Sequence, residues 1–172
     1  MIDELYTYVR QHDYESYIAA LLTKDPAARG HVMAIFGLRY ELAHILEITR
    51  EPMTGFVRLA WWRDRVSDLY AEKPPEKHLV LHALAEFISE SHPSKTLFDD
   101  VLVAYSDAIE SKTFPKIEVM QPLVAYAVGL SQGKTLRFLQ KLETEKSREN
   151  LSRSGFKKGL LPLRALLFDL FN

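Results

Sequence analysis

The stretch RLAWWRDRVSDLY, from Arg58 to Tyr70, spaces its apolar residues three and four positions apart, as an α-helix does. A helical wheel gathers one stripe that starts at an arginine and continues through large apolar side chains: Arg58, Trp62, Val66 and Leu69. Trp61 lies about 100° away on the helix, so the two indole rings point to different neighbours. We therefore predict that one ring is in the core, that the other fills a groove against an adjacent helix, and that the charged residues after them are exposed: Arg63, Asp64 and Arg65.

The same spacing runs through almost the whole chain, whereas the alternating pattern of β-strands is nearly missing. Prolines and glycines divide the chain into about seven helical segments: 3–22, 26–49, 52–71, 76–91, 94–111, 118–142 and 157–171. Asp25, with Pro26 behind it, and Ser94 are suited to cap helix N-termini. The 172 residues, 47% of them hydrophobic, suffice for one core. We predict a single all-α helical bundle over residues 1–172.

Composition limits the functions that the chain can have. Lysine and arginine number 22 against 23 acidic residues, so no overall field favours nucleic acid. The absence of cysteine excludes disulfides, thiolate zinc sites and cysteine nucleophiles, and it suits a reducing compartment such as a bacterial cytoplasm or an organelle matrix. The first twenty residues resemble neither a secretory signal nor a transit peptide, so we expect the mature chain to start near Met1. No stretch reaches the roughly 18 apolar residues that span a bilayer.

Three short patterns suggest chemistry but lack a required residue. VGLSQGKT, residues 128–135, resembles a phosphate-binding loop, but its two glycines are separated by three residues instead of four. His78, His82 and Glu86 are spaced along one helical face, but the catalytic zinc helix needs Glu directly after the first His. The acidic pair at residues 99–100 has no third carboxylate three positions later. We interpret all three as structural.

Three segments resemble, in order and spacing, the opening of the squalene/phytoene synthase family: HDYESYIAALL at 12–22, AIFGLRYELAHILEI at 34–48 and EPMTGFVRLAWWRDRVSDLY at 51–70. The resemblance is closest to a divergent branch related to the mitochondrial complex I assembly factor and its alphaproteobacterial homologues. Residues 97–142 look like the following helix pair, and the terminal GLLPLRALLFDLF looks like the last helix of the family.

Active members of this family join two prenyl diphosphates head to head, and they hold Mg²⁺ and diphosphate between two aspartate-rich motifs. Aligned on FGLRYELAHILE, the first motif falls on residues 43–47, where Glu47 is the one carboxylate. The second motif should follow AYAVGLSQG by some tens of residues, but the chain continues there with ETEKSREN. We therefore expect a shortened family member that lacks both aspartate clamps.

The resemblance thus implies a pseudoenzyme of the prenyltransferase class that needs no cofactor and acts by binding. Its partner would be a protein, a second copy or an isoprenoid-like lipid, and complex I assembly is the role that the branch implies. We expect a degenerate pocket between helical segments, bordered by six residues: Tyr17, His44, Glu47, Arg58, Trp62 and Arg63. We assign no catalytic or metal-binding residue. Two alternatives stay open: residual prenyl transfer with Mg²⁺, and peripheral membrane binding through the amphipathic segment that follows Lys157 and Lys158.

Overall fold

A computed structural model describes residues 2–129, and within that range all regular secondary structure is helical. Seven α-helices and one 3₁₀ turn follow each other along this part of the chain. They are α1 Ile2–His12, α2 Tyr14–Leu21, α3 Pro26–Ile48, α4 Pro52–Tyr70, α5 Leu79–Ser91, α6 Lys95–Ser111, the 3₁₀ turn Ile117–Met120 and α7 Gln121–Ala127. The predicted all-α class is confirmed.

The first predicted segment, 3–22, is two helices that meet at Asp13. The backbone of Asp13 leaves the helical region, with φ of −145°, and its side chain accepts the N–H of Ser16 at 3.1 Å. A carboxylate at this position satisfies a backbone donor that α2 leaves free at its N-terminus, which is why the helix restarts here. One continuous helix over 3–22 was therefore a wrong prediction.

The two predicted N-caps are confirmed. The carboxylate of Asp25 accepts the N–H of Ala28 at 2.8 Å, with Pro26 in the first turn of α3. The hydroxyl of Ser94 accepts the N–H of Thr96 at 3.4 Å at the start of α6. Both caps depend on residues that are neighbours in sequence, so the local pattern was sufficient to locate them.

Helix α3 is the centre of the bundle. Seven consecutive residues, 32–38, are buried, which means that this part of the helix is covered on every side. It contacts α1, α2, α4, α5, α6 and α7. Side chains on α3 can therefore form links to most of the other described helices.

Helix α4 packs antiparallel to α6. A Cβ atom on Gly55, near the start of α4, would lie 3.2 Å from a side-chain atom of Ile109, near the end of α6. At the other end of the pair, the rings of Tyr70 and Phe98 are 6.0 Å apart. The face of α4 that points inward carries large apolar residues: Leu59, Trp62, Val66 and Leu69.

The predicted segment 118–142 starts as the 3₁₀ turn and continues as α7. Its part beyond residue 129, the polar stretch 143–155 and the predicted C-terminal helix 157–171 all lie outside the described residues. Among the helices that are described, none has the length and hydropathy to cross a membrane.

Candidate functional site

Three aromatic rings stack where α1 meets α3. The rings of His12 and Tyr40 are 4.7 Å apart with an interplanar angle of 20°, and those of Tyr40 and His44 are 5.5 Å apart at 15°. We call these three residues the ring stack. Burial raises the pKa of Tyr40, and the nearby carboxylates of Glu41 and Glu47 act in the same direction. The ring stack therefore keeps a neutral phenol between two imidazoles.

Beside the ring stack, Glu41 joins three parts of the chain. Its carboxylate accepts the hydroxyl of Tyr8 from α1, and the same oxygen lies 3.5 Å from Nε2 of His78, just before α5. Burial, followed by this hydrogen bond, raises the pKa of Tyr8 far above its ordinary range. Tyr8 thus remains a hydrogen-bond donor, and the carboxylate on α3 holds α1 and the start of α5 together.

Both tryptophans of α4 contact His78. The ring of Trp62 lies 5.2 Å from the imidazole in an edge-to-face arrangement, and that of Trp61 lies 5.9 Å away. Trp62 is in the core, which confirms the prediction of one core ring, and Trp61 is half-buried; its place in a groove against an adjacent helix stays a prediction. The expectation that they face different neighbours was wrong, because an imidazole at the junction is large enough to contact both rings.

The charged residues after the tryptophans divide into two groups. Arg63 and Asp64 are exposed, as predicted. Arg65 is half-buried: its guanidinium bonds to Glu76, lies 3.0 Å from Asp68 and sits 6.0 Å from the centre of the Trp61 ring. Arg65 was wrongly expected to be solvated, since the residue that pairs with it most directly is eleven positions further along the chain.

The six predicted pocket residues take different positions. His44 and Glu47 are in direct contact, with Nδ1 and Oε2 3.3 Å apart. Trp62 is 3% exposed, whereas Arg58 and Arg63 lie on the outside of the same helix. The sixth residue, Tyr17, is half-buried on α2, and its ring stacks against Tyr14 at 6.2 Å. A shared pocket role for the six residues stays a prediction.

The segment that the resemblance aligns with the first aspartate-rich motif, 43–47, forms part of α3. Ile45 is buried in the core, while Glu47 is exposed and contacts His44. Over residues 2–129, no three or more His, Cys, Asp or Glu side chains come close enough together to hold a metal ion. Mg²⁺ bound to diphosphate needs several carboxylate oxygens, so this segment does not fit that group.

A partly buried ion pair anchors the residues that carry the ring stack. The guanidinium of Arg39 on α3 bonds to the carboxylate of Asp13 and, at 3.1 Å, to the hydroxyl of Ser16. Only 11% of the Asp13 side chain is exposed. Asp13 directly follows His12, and Arg39 directly precedes Tyr40. The ion pair therefore fixes the two backbone segments that carry the rings of His12 and Tyr40.

Sequence reasoning missed Tyr8, His12, Tyr40 and Glu41 as site residues, and it considered His78 only as a metal ligand. The spacing of Tyr40 and His44, four positions apart, was a usable signal because such residues are neighbours on a helix. The contacts to Tyr8 and His78 had no comparable signal, since those residues come from other elements.

The family model described as squalene/phytoene synthase matches residues 9–139. The protein named NADH dehydrogenase (ubiquinone) complex I, assembly factor 6, of Homo sapiens is 32% identical over 74 residues, which are 42% of this chain and 22% of that protein. Its homologue in Dictyostelium discoideum is 30% identical over 94 residues, 55% of this chain and 26% of that protein. The match thus spans about a quarter or less of these relatives, and no solved structure matches the chain.

Proposed function

Since the chain belongs to the squalene/phytoene synthase family, we propose that it is a non-catalytic member that supports the assembly of respiratory complex I by binding. The relatives from Homo sapiens and Dictyostelium discoideum carry the name of a complex I assembly factor, and this supports the role. The partner is a protein of that complex or an isoprenoid-like lipid. We then expect this protein to act in the compartment where complex I is assembled.

The observation that carries the proposal is the segment 43–47. Ionising an allylic diphosphate requires divalent cations to neutralise the leaving group, and this contributes several kcal/mol to catalysis. Each 1.4 kcal/mol is about a factor of ten in rate. A segment whose single carboxylate, Glu47, is exposed and contacts His44 does not supply that metal site.

We assign the binding function to the ring stack. Its outer members, His12 and His44, retain solvent-exposed surface, and flat rings provide contact area with few side-chain rotations to restrict. The anchors behind the stack, Asp13 with Arg39 and Glu41 with Tyr8, hold the rings in place before a partner arrives. A preorganised surface loses less entropy on binding.

Catalysis is tested directly with purified protein, Mg²⁺ and farnesyl or geranylgeranyl diphosphate. We expect no head-to-head product above a protein-free control. Product formation that the Glu47→Gln variant abolishes would overturn the proposal in favour of residual prenyl transfer.

The binding role is tested in the source organism after deletion of the gene. We expect less assembled complex I on native gels, restoration by the wild-type chain, and poor restoration by a His12→Ala/His44→Ala double variant. Glu86→Ala, an exposed change on α5, is the matched control and should restore assembly fully. Unchanged complex I in the deletion strain would refute the assembly role. Full restoration by the double variant would refute the assignment to the ring stack.

A further inference from the structure

The outer part of the ring stack exposes three kinds of side chain next to each other. The side chain of His44 is 41% exposed, and that of Glu47 is 57% exposed at the edge of the imidazole, with Oε2 3.3 Å from Nδ1. Ile48 is 46% exposed and follows His44 by four residues, so it lies on the same face of α3. A flat ring, a carboxylate and an aliphatic side chain therefore share one small surface.

Carboxylates give this surface a negative potential. Burial is the largest cause of the raised pKa of Tyr40, and the charges of Glu41 and Glu47 raise this pKa further. Among the described residues, the hydrogen-bond partner of Glu47 is the imidazole of His44, which contacts Oε2 and leaves Oε1 free. The surface therefore attracts a cation and offers it a hydrogen-bond acceptor.

We propose that the partner of the ring stack is a protein that places an arginine side chain on this surface. The inference rests on the binding role that is proposed for the ring stack. The guanidinium lies flat against the imidazole of His44 and donates hydrogen bonds to Oε1 of Glu47. The methylene stem of the arginine covers Ile48, which removes apolar surface from water.

The three contacts favour arginine over other partners. Lysine carries a compact ammonium that has no plane to lie against a ring and that holds its water more strongly. An isoprenoid chain would cover the carboxylate of Glu47 without supplying a hydrogen bond, and burying a charge in this way is costly. An anionic headgroup would meet the like charges of Glu41 and Glu47.

Titration of the full-length chain with short peptides tests this chemistry, with the NMR signals of the His12 and His44 rings as the readout. The probe is acetyl-Gly-Arg-Gly amide, and the control is the same peptide with citrulline, which keeps the flat group but has no charge. We expect saturable shifts with the arginine peptide and a dissociation constant roughly tenfold or more higher for the citrulline peptide, because the hydrogen bonds to the carboxylate lose their charge. Equal affinity for the two peptides overturns the proposal.

Glu47→Gln keeps the shape of the side chain but removes its charge. In this variant the arginine peptide should bind no better than the citrulline peptide. Glu86→Gln makes the same change at an exposed position of α5 and should leave both affinities unchanged. If Glu47→Gln binds the arginine peptide as tightly as the wild-type chain does, the proposal is overturned. It is equally overturned if farnesol in detergent micelles shifts the two histidine rings and the arginine peptide does not, since the partner is then a lipid.

The result can be separated from that of the assembly role, because the titration uses purified protein alone. If the His12→Ala/His44→Ala variant fails to restore complex I and the arginine peptide does not bind, the ring stack keeps its binding role and the choice of arginine is overturned. If the arginine peptide binds but the deletion strain assembles complex I normally, recognition of arginine is supported and the assembly role is overturned.

Discussion

Replacing Asp13 by alanine removes two contacts at once. The N–H of Ser16 loses its cap, at a cost of about 1 kcal/mol. The guanidinium of Arg39 loses a charge-assisted hydrogen bond in a partly buried setting, worth about 2 kcal/mol. We expect Asp13→Ala to lower the free energy of unfolding by about 3 kcal/mol and Asp13→Asn by about 2 kcal/mol, since asparagine retains an acceptor for the cap.

Urea unfolding followed by tryptophan fluorescence measures these losses, because Trp62 is buried in the folded chain. Asp25 provides the matched control, since its carboxylate caps α3 in an exposed position. Asp25→Ala should therefore cost only about 1 kcal/mol. If Asp13→Ala costs no more than Asp25→Ala, the pair with Arg39 does not stabilise the fold. If alanine and asparagine at position 13 cost the same, the cap contributes nothing.

Three further predictions concern the core. Trp62→Ala should cost about 3 to 5 kcal/mol in urea unfolding and the half-buried Trp61→Ala clearly less, and equal losses would contradict the different burial of the rings. Burial raises the pKa of Tyr105 to about 12, so the folded state holds this proton more tightly than the unfolded chain. The contribution of Tyr105 to stability is then complete below pH 10 and falls by about 2 to 3 kcal/mol between pH 10 and 12. Tyr105→Phe should flatten that alkaline loss. Gly55→Val should cost about 1 to 3 kcal/mol, because an added Cβ already approaches α6 to 3.2 Å, and unchanged stability would mean that the two helices separate easily.

The helical class and two of the caps could be predicted because they depend on neighbouring residues. Apolar spacing identified α3 and α4, and Asp25 and Ser94 cap the helices as expected. The break at Asp13 was missed, although its cap is also local. Asp13 interrupts a continuous apolar pattern, and the Arg39 partner that makes the break favourable is 26 residues away.

The site was predictable to a smaller extent. The family resemblance placed His44 and Glu47 at the degenerate motif, and the structure shows them in contact. It offered no reason to connect Glu41 with Tyr8, 33 residues away, or with His78. Such contacts depend on how whole helices pack against each other.

The sequence by itself determined that this chain is helical, where α3 and α6 are capped, and that residues 43–47 contain one carboxylate where the family uses several. Only the tertiary structure decided that both tryptophans meet His78 and that Arg65 is paired. The tertiary structure also decided that the side chains of Met53 and Val57 are exposed to solvent. The physical reason is that helix formation and capping use hydrogen bonds between near neighbours, whereas burial and pairing depend on which faces of separate helices come together.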